Sequence, residues 1–204
     1  MSRYAVCLLG LLICFSAAAS GPVNPALLAK SASMAQVTSG PLRINELATQ
    51  VAESTRVKML AALARGDIQA AIAAWLAHTG RQNIPQWLSN FQAAFQAANQ
   101  RAGPCKQVAQ SIFEGFKQLG KEPAYLHFRT SGVHKTANLI GFEVRAGEPR
   151  SVVQVSNNSM HYAVQVGNRV YDAFTGPAGL EVSEYLKRLL SPGTITYEAV
   201  STLP

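Results

Sequence analysis

Residues 161–172, His-Tyr-Ala-Val-Gln-Val-Gly-Asn-Arg-Val-Tyr-Asp, leave little freedom in how they fold. Two alternating β-type runs flank Gly167-Asn168, a two-residue link with glycine first, which is the sequence of a type II′ hairpin turn. Such a turn fixes the register: Val166 faces Arg169, Gln165 faces Val170, Val164 faces Tyr171, and Ala163 faces Asp172. Because side chains alternate along a strand, His161 falls on the side of Ala163, diagonally across from Asp172. Diagonal neighbours have Cβ atoms roughly 5–8 Å apart, within reach of a carboxylate–imidazole hydrogen bond. The opposite face, with Tyr162, Val164, Val166, Tyr171 and Ala173, is the one expected to meet a core.

A second feature lies 56 residues before His161, in Gly103-Pro104-Cys105-Lys106. Proline is favoured at the first helical position, so Pro104 is expected there, with Cys105 in the first turn of a helix. Backbone N–H groups in that turn lack intrahelical partners, and the positive end of the helix dipole lowers a thiol's pKa. A thiol also needs a base, and the base needs a partner that fixes its tautomer. Cys105, His161 and Asp172 fit nucleophile, base and orienting acid in that order. Two plainer readings of the cysteine are an inert buried residue and an intermolecular disulfide, and the helix-start position speaks against the first.

The chain has 204 residues, 48% of them hydrophobic, enough for a real core. Three helices are expected over residues 41–102. Ile44, Leu47, Val51, Val57, Leu60 and Leu63 give a stripe that stops at Gly66. Asp67 is placed to N-cap a second helix that stops at Gly80, and Pro85 opens a third with Trp87, Leu88, Phe91 and Phe95 on one face. His78, at a helix end, reads as a capping or surface residue. The helix from Cys105 buries Val108, Ile112, Phe113, Phe116 and Leu119 and ends at Gly120. Strands follow at 124–130, 138–144, 152–155 and 161–166, with turns at Gly147-Glu148-Pro149 and 156–159. A short helix, 183–190, and a closing strand, 194–200, complete an α+β pattern: a helical region, then a nucleophile helix packed on an antiparallel sheet.

Residues 1–19 have the three parts of a secretory signal: Arg3, the apolar run Leu8–Phe15, and Ala17-Ala18-Ala19 before cleavage. The apolar run is shorter than the ~20 residues a bilayer-spanning helix needs, so no stable membrane anchor is expected. Residues 20–40, rich in Ser, Ala, Gly and Pro, read as a flexible leader. Cys7 and Cys14 would leave with the signal, so an exported, secreted or periplasmic protein keeps Cys105 as its one thiol. The formal charge of +7 loses only Arg3 on cleavage and is diffuse. Lys187-Arg188 has no aromatic interleaving and reads as a solvated face, not a nucleic-acid site. The other histidines, His78, His127 and His134, have no zinc-type spacing, and neither metal nor organic cofactor is expected.

Residues 103 to about 190, a little under half of the chain, resemble the papain fold toxin 2 domains of bacterial polymorphic toxin systems. The residues that carry this are Gly103-Pro104-Cys105-Lys106-Gln107-Val108-Ala109 opening a helix, Ser159-Met160-His161-Tyr162-Ala163-Val164-Gln165-Val166-Gly167, Asn168-Arg169-Val170-Tyr171-Asp172-Ala173, and Gly176-Pro177-Ala178-Gly179-Leu180 leading to Glu184-Tyr185-Leu186. The resemblance implies a papain-like cysteine hydrolase, a protease, glutamine deamidase or transglutaminase with a protein or peptide substrate. It also implies a toxin or effector role with an immunity protein as partner. Papain-like enzymes place a glutamine shortly before the cysteine as an oxyanion donor, and Gln100 is the candidate. Such toxins usually form the tip of long multidomain chains, whereas here the domain follows an export signal.

Two other functions fit the same residues. One is a cell-wall cysteine amidase, suggested by export and basic charge. The other is a secreted helical interaction protein in which the papain-like domain is inactive and residues 41–102 form the working surface.

Overall fold

The computed structural model describes residues 41–132, 136–145 and 151–203, with the side chains of 41–52 and Arg145 left aside. The signal (1–19), the leader (20–40), Cys7, Cys14, His134, the turn at Gly147–Pro149 and the first part of the α1 stripe therefore lie outside the described residues or side chains.

Gly66 and Asp67 divide the first two helices, α1 (Pro41–Ala64) and α2 (Ile68–Thr79). Gly66 takes a left-handed φ of +79°, and the Asp67 carboxylate accepts the Ala70 N–H at 2.8 Å, satisfying one orphan donor of the first turn. The third helix, α3 (Gln86–Ala94), follows Pro85 and buries Leu88 and Phe91 completely. After a 3₁₀ turn, Ala97–Asn99, comes α4 (Cys105–Gln118). Pro104 is its N-cap and not its first helical residue: the Pro104 carbonyl accepts the first helical hydrogen bond, from Val108 N–H at 2.9 Å. Cys105 therefore opens the helix. Where α3 and α4 cross, a Cβ on Gly115 would stand 2.1 Å from the Phe91 ring, so only glycine permits this approach.

The strands are β1 (Ala124–Ser131), β2 (Ile140–Arg145), β3 (Ser151–Ser156), β4 (Met160–Val166), β5 (Arg169–Tyr171), β6 (Leu180–Glu181), β7 (Leu189–Leu190) and β8 (Thr194–Val200). The last helix, α5 (Val182–Arg188), ends two residues before the expected 190, because Leu189–Leu190 pairs with β2 instead. Class α+β holds, but the strands form two antiparallel sheets: one of five, β6-β5-β4-β1-β8, and one of three, β3-β2-β7. Ser156–Ser159 thus carries the chain from one sheet to the other.

The hairpin register is the expected one: Val164 pairs with Tyr171, Gln165 with Val170 and Val166 with Arg169. Gly167 has φ +57°, while Asn168 has no positive φ, as a II′ turn requires. One core joins α1–α4 to Tyr125, Tyr162, Val164, Tyr171 and Ala173, the face assigned to a core from the sequence. The other face is buried as well. Leu126, Phe128, Ala163 and Val170 pack there with Ile140 and Phe142 of β2, Val155 of β3 and Tyr185 of α5. The five-stranded sheet is therefore the middle layer between helices and the small sheet. The helical core runs without a break from Met59 across Gly103 to Ala173, and residues 41–204 make one compact unit.

Candidate active site

His161 and Asp172 meet as the register requires, with His161 Nε2 3.2 Å from Asp172 Oδ2. Both are buried, at 1% and 2% exposure. They share the face of Phe128, which pairs with His161 across β1 and β4. Helix α4 packs on the other face, beside Tyr162 and Val164. The cysteine therefore does not sit over the face that holds the histidine. The β4–β5 ladder ends at Val164–Tyr171, and beyond that pair the strands part. It is at this opening that Cys105, half-buried at the start of α4, interacts with the imidazole and receives the backbone N–H groups of Tyr162 and Lys106.

Asp172 is held rigidly. Its Oδ1 accepts the N–H groups of Phe174 (2.8 Å) and Thr175 (2.9 Å), an Asx turn, while the Thr175 hydroxyl accepts the Asp172 N–H at 2.9 Å. Its Oδ2 accepts the Tyr185 hydroxyl at 2.7 Å, and that same hydroxyl oxygen lies 3.0 Å from His161 Nε2. Tyr185, fully buried, is the residue that sequence reasoning left without a role. It arrives on α5, two elements after the hairpin, and no local pattern marks it. His161 Nδ1 is buried and unmatched by the partners that hold Nε2, which leaves it as the ring nitrogen for the Cys105 interaction.

The electrostatics couple these groups. Burial favours a neutral imidazole, but hydrogen bonds to Asp172 and Cys105 and their negative charge outweigh it and raise the His161 pKa to about 9. Burial likewise pushes the Cys105 thiol up. The hydrogen bond and positive charge of His161, with the two backbone N–H groups, outweigh that and hold the thiol below its ordinary value. For Asp172, burial raises the pKa and is overcome by His161, Tyr185 and the Thr175 N–H, which leave it lowered. These couplings shift the site toward thiolate, imidazolium and carboxylate.

Scans of protein-family models, curated proteins and solved structures returned no match. The site therefore stands on its geometry.

The Gln100 side-chain amide donates one hydrogen to the Ala173 carbonyl at 3.0 Å, tying the segment before α4 to the turn after β5, and has a second N–H besides. Asn99, Arg101, Val108, Tyr162, Ala173 and Phe174 line the cleft at Cys105 and His161. It encloses about 10 Å³, room for roughly one water molecule. A larger groove of about 360 Å³ runs between α3 and α4 and shares Asn99 and Val108 with the cleft, but it contains none of the three reactive groups. Among the described residues no group of three or more His, Cys, Asp or Glu side chains is placed to hold a metal ion, and no helix is long and apolar enough to cross a membrane.

Proposed function

We propose that this protein is a cysteine-dependent amide hydrolase of papain-like mechanism, acting on peptide or glutamine amide bonds. The observation that carries the reading is the assembly of a helix-start thiol, a buried imidazole and a buried carboxylate from three separate elements, with the thiol's pKa drawn down by the imidazole. The chemistry follows. The Cys105 thiolate attacks the carbonyl carbon, and the electron pair of the C=O bond moves to oxygen. As the tetrahedral species collapses, imidazolium Nδ1–H passes its proton to the leaving nitrogen, the C–N bond breaks, and a thioester with Cys105 remains. Water, losing a proton to the now neutral Nδ1, attacks the thioester and releases a carboxylic acid and the thiolate. Asp172 holds the ring and its charge throughout. The Gln100 amide keeps a second N–H beside its bond to Ala173, and with the backbone N–H of Cys105 it is a candidate donor to the oxyanion.

The setting is export and action on proteins of another cell, as toxin or effector. The signal-like leader and the resemblance to papain fold toxins support this. A peptide library and free or protein-bound glutamine test the reading, with new termini scored by mass spectrometry and ammonia by assay. Turnover, together with an acyl adduct on Cys105 trapped at acid pH, is expected from the wild type and not from Cys105→Ala. Full turnover in a folded Cys105→Ala would end it.

A further inference from the structure

Three heavy atoms form a closed triangle in the buried layer behind the nucleophile: Tyr185 Oη to Asp172 Oδ2, 2.7 Å; His161 Nε2 to Tyr185 Oη, 3.0 Å; His161 Nε2 to Asp172 Oδ2, 3.2 Å. We propose that Tyr185 is a positioning residue that fixes His161 as the Nε2–H tautomer and spreads the carboxylate's charge onto a second acceptor, so that Nδ1 alone exchanges a proton with the Cys105 sulfur. This rests on the reading above that Cys105 and His161 are the reacting pair.

The argument is a count of protons and lone pairs. A hydroxyl has one proton and two acceptor lone pairs, and an ionised carboxylate only accepts. At 2.7 Å from Oδ2 the phenol proton must lie on the line to Asp172, since two unprotonated oxygens at that distance would repel. The Asp172 carboxylate cannot turn away to relieve the arrangement, because its other oxygen holds the Phe174 and Thr175 N–H groups. With its proton committed, the phenol oxygen can only accept from Nε2. Both atoms facing Nε2 are then acceptors, and the ring nitrogen between them keeps its hydrogen whether the imidazole is neutral or charged. A phenol polarised by a carboxylate is also a better acceptor than a free one. Burial and the Asp172 charge keep Tyr185 protonated, far above the ordinary tyrosine range.

No other charged group shares this space among the described contacts. Cys105 comes from α4 and Asp172 from just after β5, while β1 and β2 bring apolar side chains, among them the rings of Phe128 and Phe142, 5.6 and 5.2 Å from the Tyr185 ring. The ring packs like a phenylalanine, and the oxygen is what the site uses.

The test is alkylation of Cys105 by iodoacetamide across the pH range, followed by intact mass. Tyr185→Phe removes the nearer of the two acceptors of the imidazolium and keeps the ring. Its midpoint should rise by about one pH unit, tenfold in thiolate at a given acid pH. In Asp172→Asn the phenol is no longer polarised by a carboxylate, so adding Tyr185→Phe should change the midpoint little further. A wild-type midpoint well below an ordinary thiol's that is unmoved in Tyr185→Phe would overturn the proposal. A wild-type midpoint that is already ordinary, and unchanged in His161→Ala, would overturn the cysteine–histidine reading itself. Should Tyr185→Phe not fold, the ¹⁵N spectrum of neutral His161 in Cys105→Ala decides: an Nε2–H ring is expected, and an Nδ1–H ring would overturn the proposal.

Discussion

Two histidines stand on adjacent strands of the same sheet, both almost fully buried, and their pKa values move in opposite directions. His161 on β4 is 1% exposed and His127 on β1 is 3% exposed. Each has a carboxylate near, Asp172 at 3.2 Å and Glu198 at 3.6 Å. Yet the His161 pKa is raised to about 9, whereas that of His127 is lowered, first by burial and then by the Arg129 charge, against a weaker pull from Glu198. The difference lies in the carboxylates. Asp172 is itself buried and anchored by backbone N–H groups, so its field acts through a low-dielectric interior. Glu198 is about half exposed and also pairs with Arg129, so solvent and a competing cation take most of its effect. His127 stacks on Tyr162 at 4.7 Å and serves as packing. A buried histidine becomes a base when its partner is buried with it.

The largest expected effect is on turnover. Cys105→Ala and His161→Ala should each lower it at least about a thousandfold, and Asp172→Asn should leave a residual rate, as losing the orienting member of a triad does. His127→Gln should change it by no more than about threefold. Circular dichroism must show each variant folded, because Asp172 also holds the turn at Phe174 and Thr175. A His127 variant as damaged as the His161 variant would break the comparison.

A smaller effect is the dependence of stability on pH. The folded pKa of His127 lies below its unfolded value near 6.5, so acidification through that value puts a proton on the unfolded chain first and stability falls. The contribution of His161, with its folded pKa raised to about 9, is fully present below about 6.5 and is lost as pH rises through 9. Cys105 has the opposite sign, since a lowered thiol pKa stabilises the fold above it. Melting temperatures should therefore fall as the pH drops through about 6.5, and the fall should be smaller in His127→Gln. An unchanged acid slope in that variant would remove His127 from the account. The smallest effect is that of Glu198→Gln, whose carboxylate is half exposed in both of its pairs, and it should cost less than about 1 kcal/mol in thermal unfolding.

The hairpin was legible because a two-residue turn and a period of two determine which residues meet. Asp67 and the start of α4 were legible because caps and prolines act locally. What was not legible needed contacts between distant elements. The sheet's second buried face depends on a small sheet that includes Leu189–Leu190, read from sequence as the end of a helix. Tyr185 reaches the site only because α5 returns beneath the hairpin. The Gln100 spacing suited an oxyanion donor, and the bond its amide makes to the Ala173 carbonyl is one no spacing rule foresees. The apolar stripe of α4 packs it beside Tyr162 and Val164, and Cys105 meets His161 where the β4–β5 ladder stops.

One titration tests the central claim that a buried carboxylate and a half-buried thiol hold His161 as the imidazolium of this site. The ring signals of His161 and His127, followed together by NMR in the wild-type protein, should part company: His161 with a midpoint near 9, moving when Cys105 is replaced by alanine, and His127 with a midpoint below 6.5 that does not move. His161 titrating at or below the ordinary histidine value, with no response to the loss of Cys105, would contradict it.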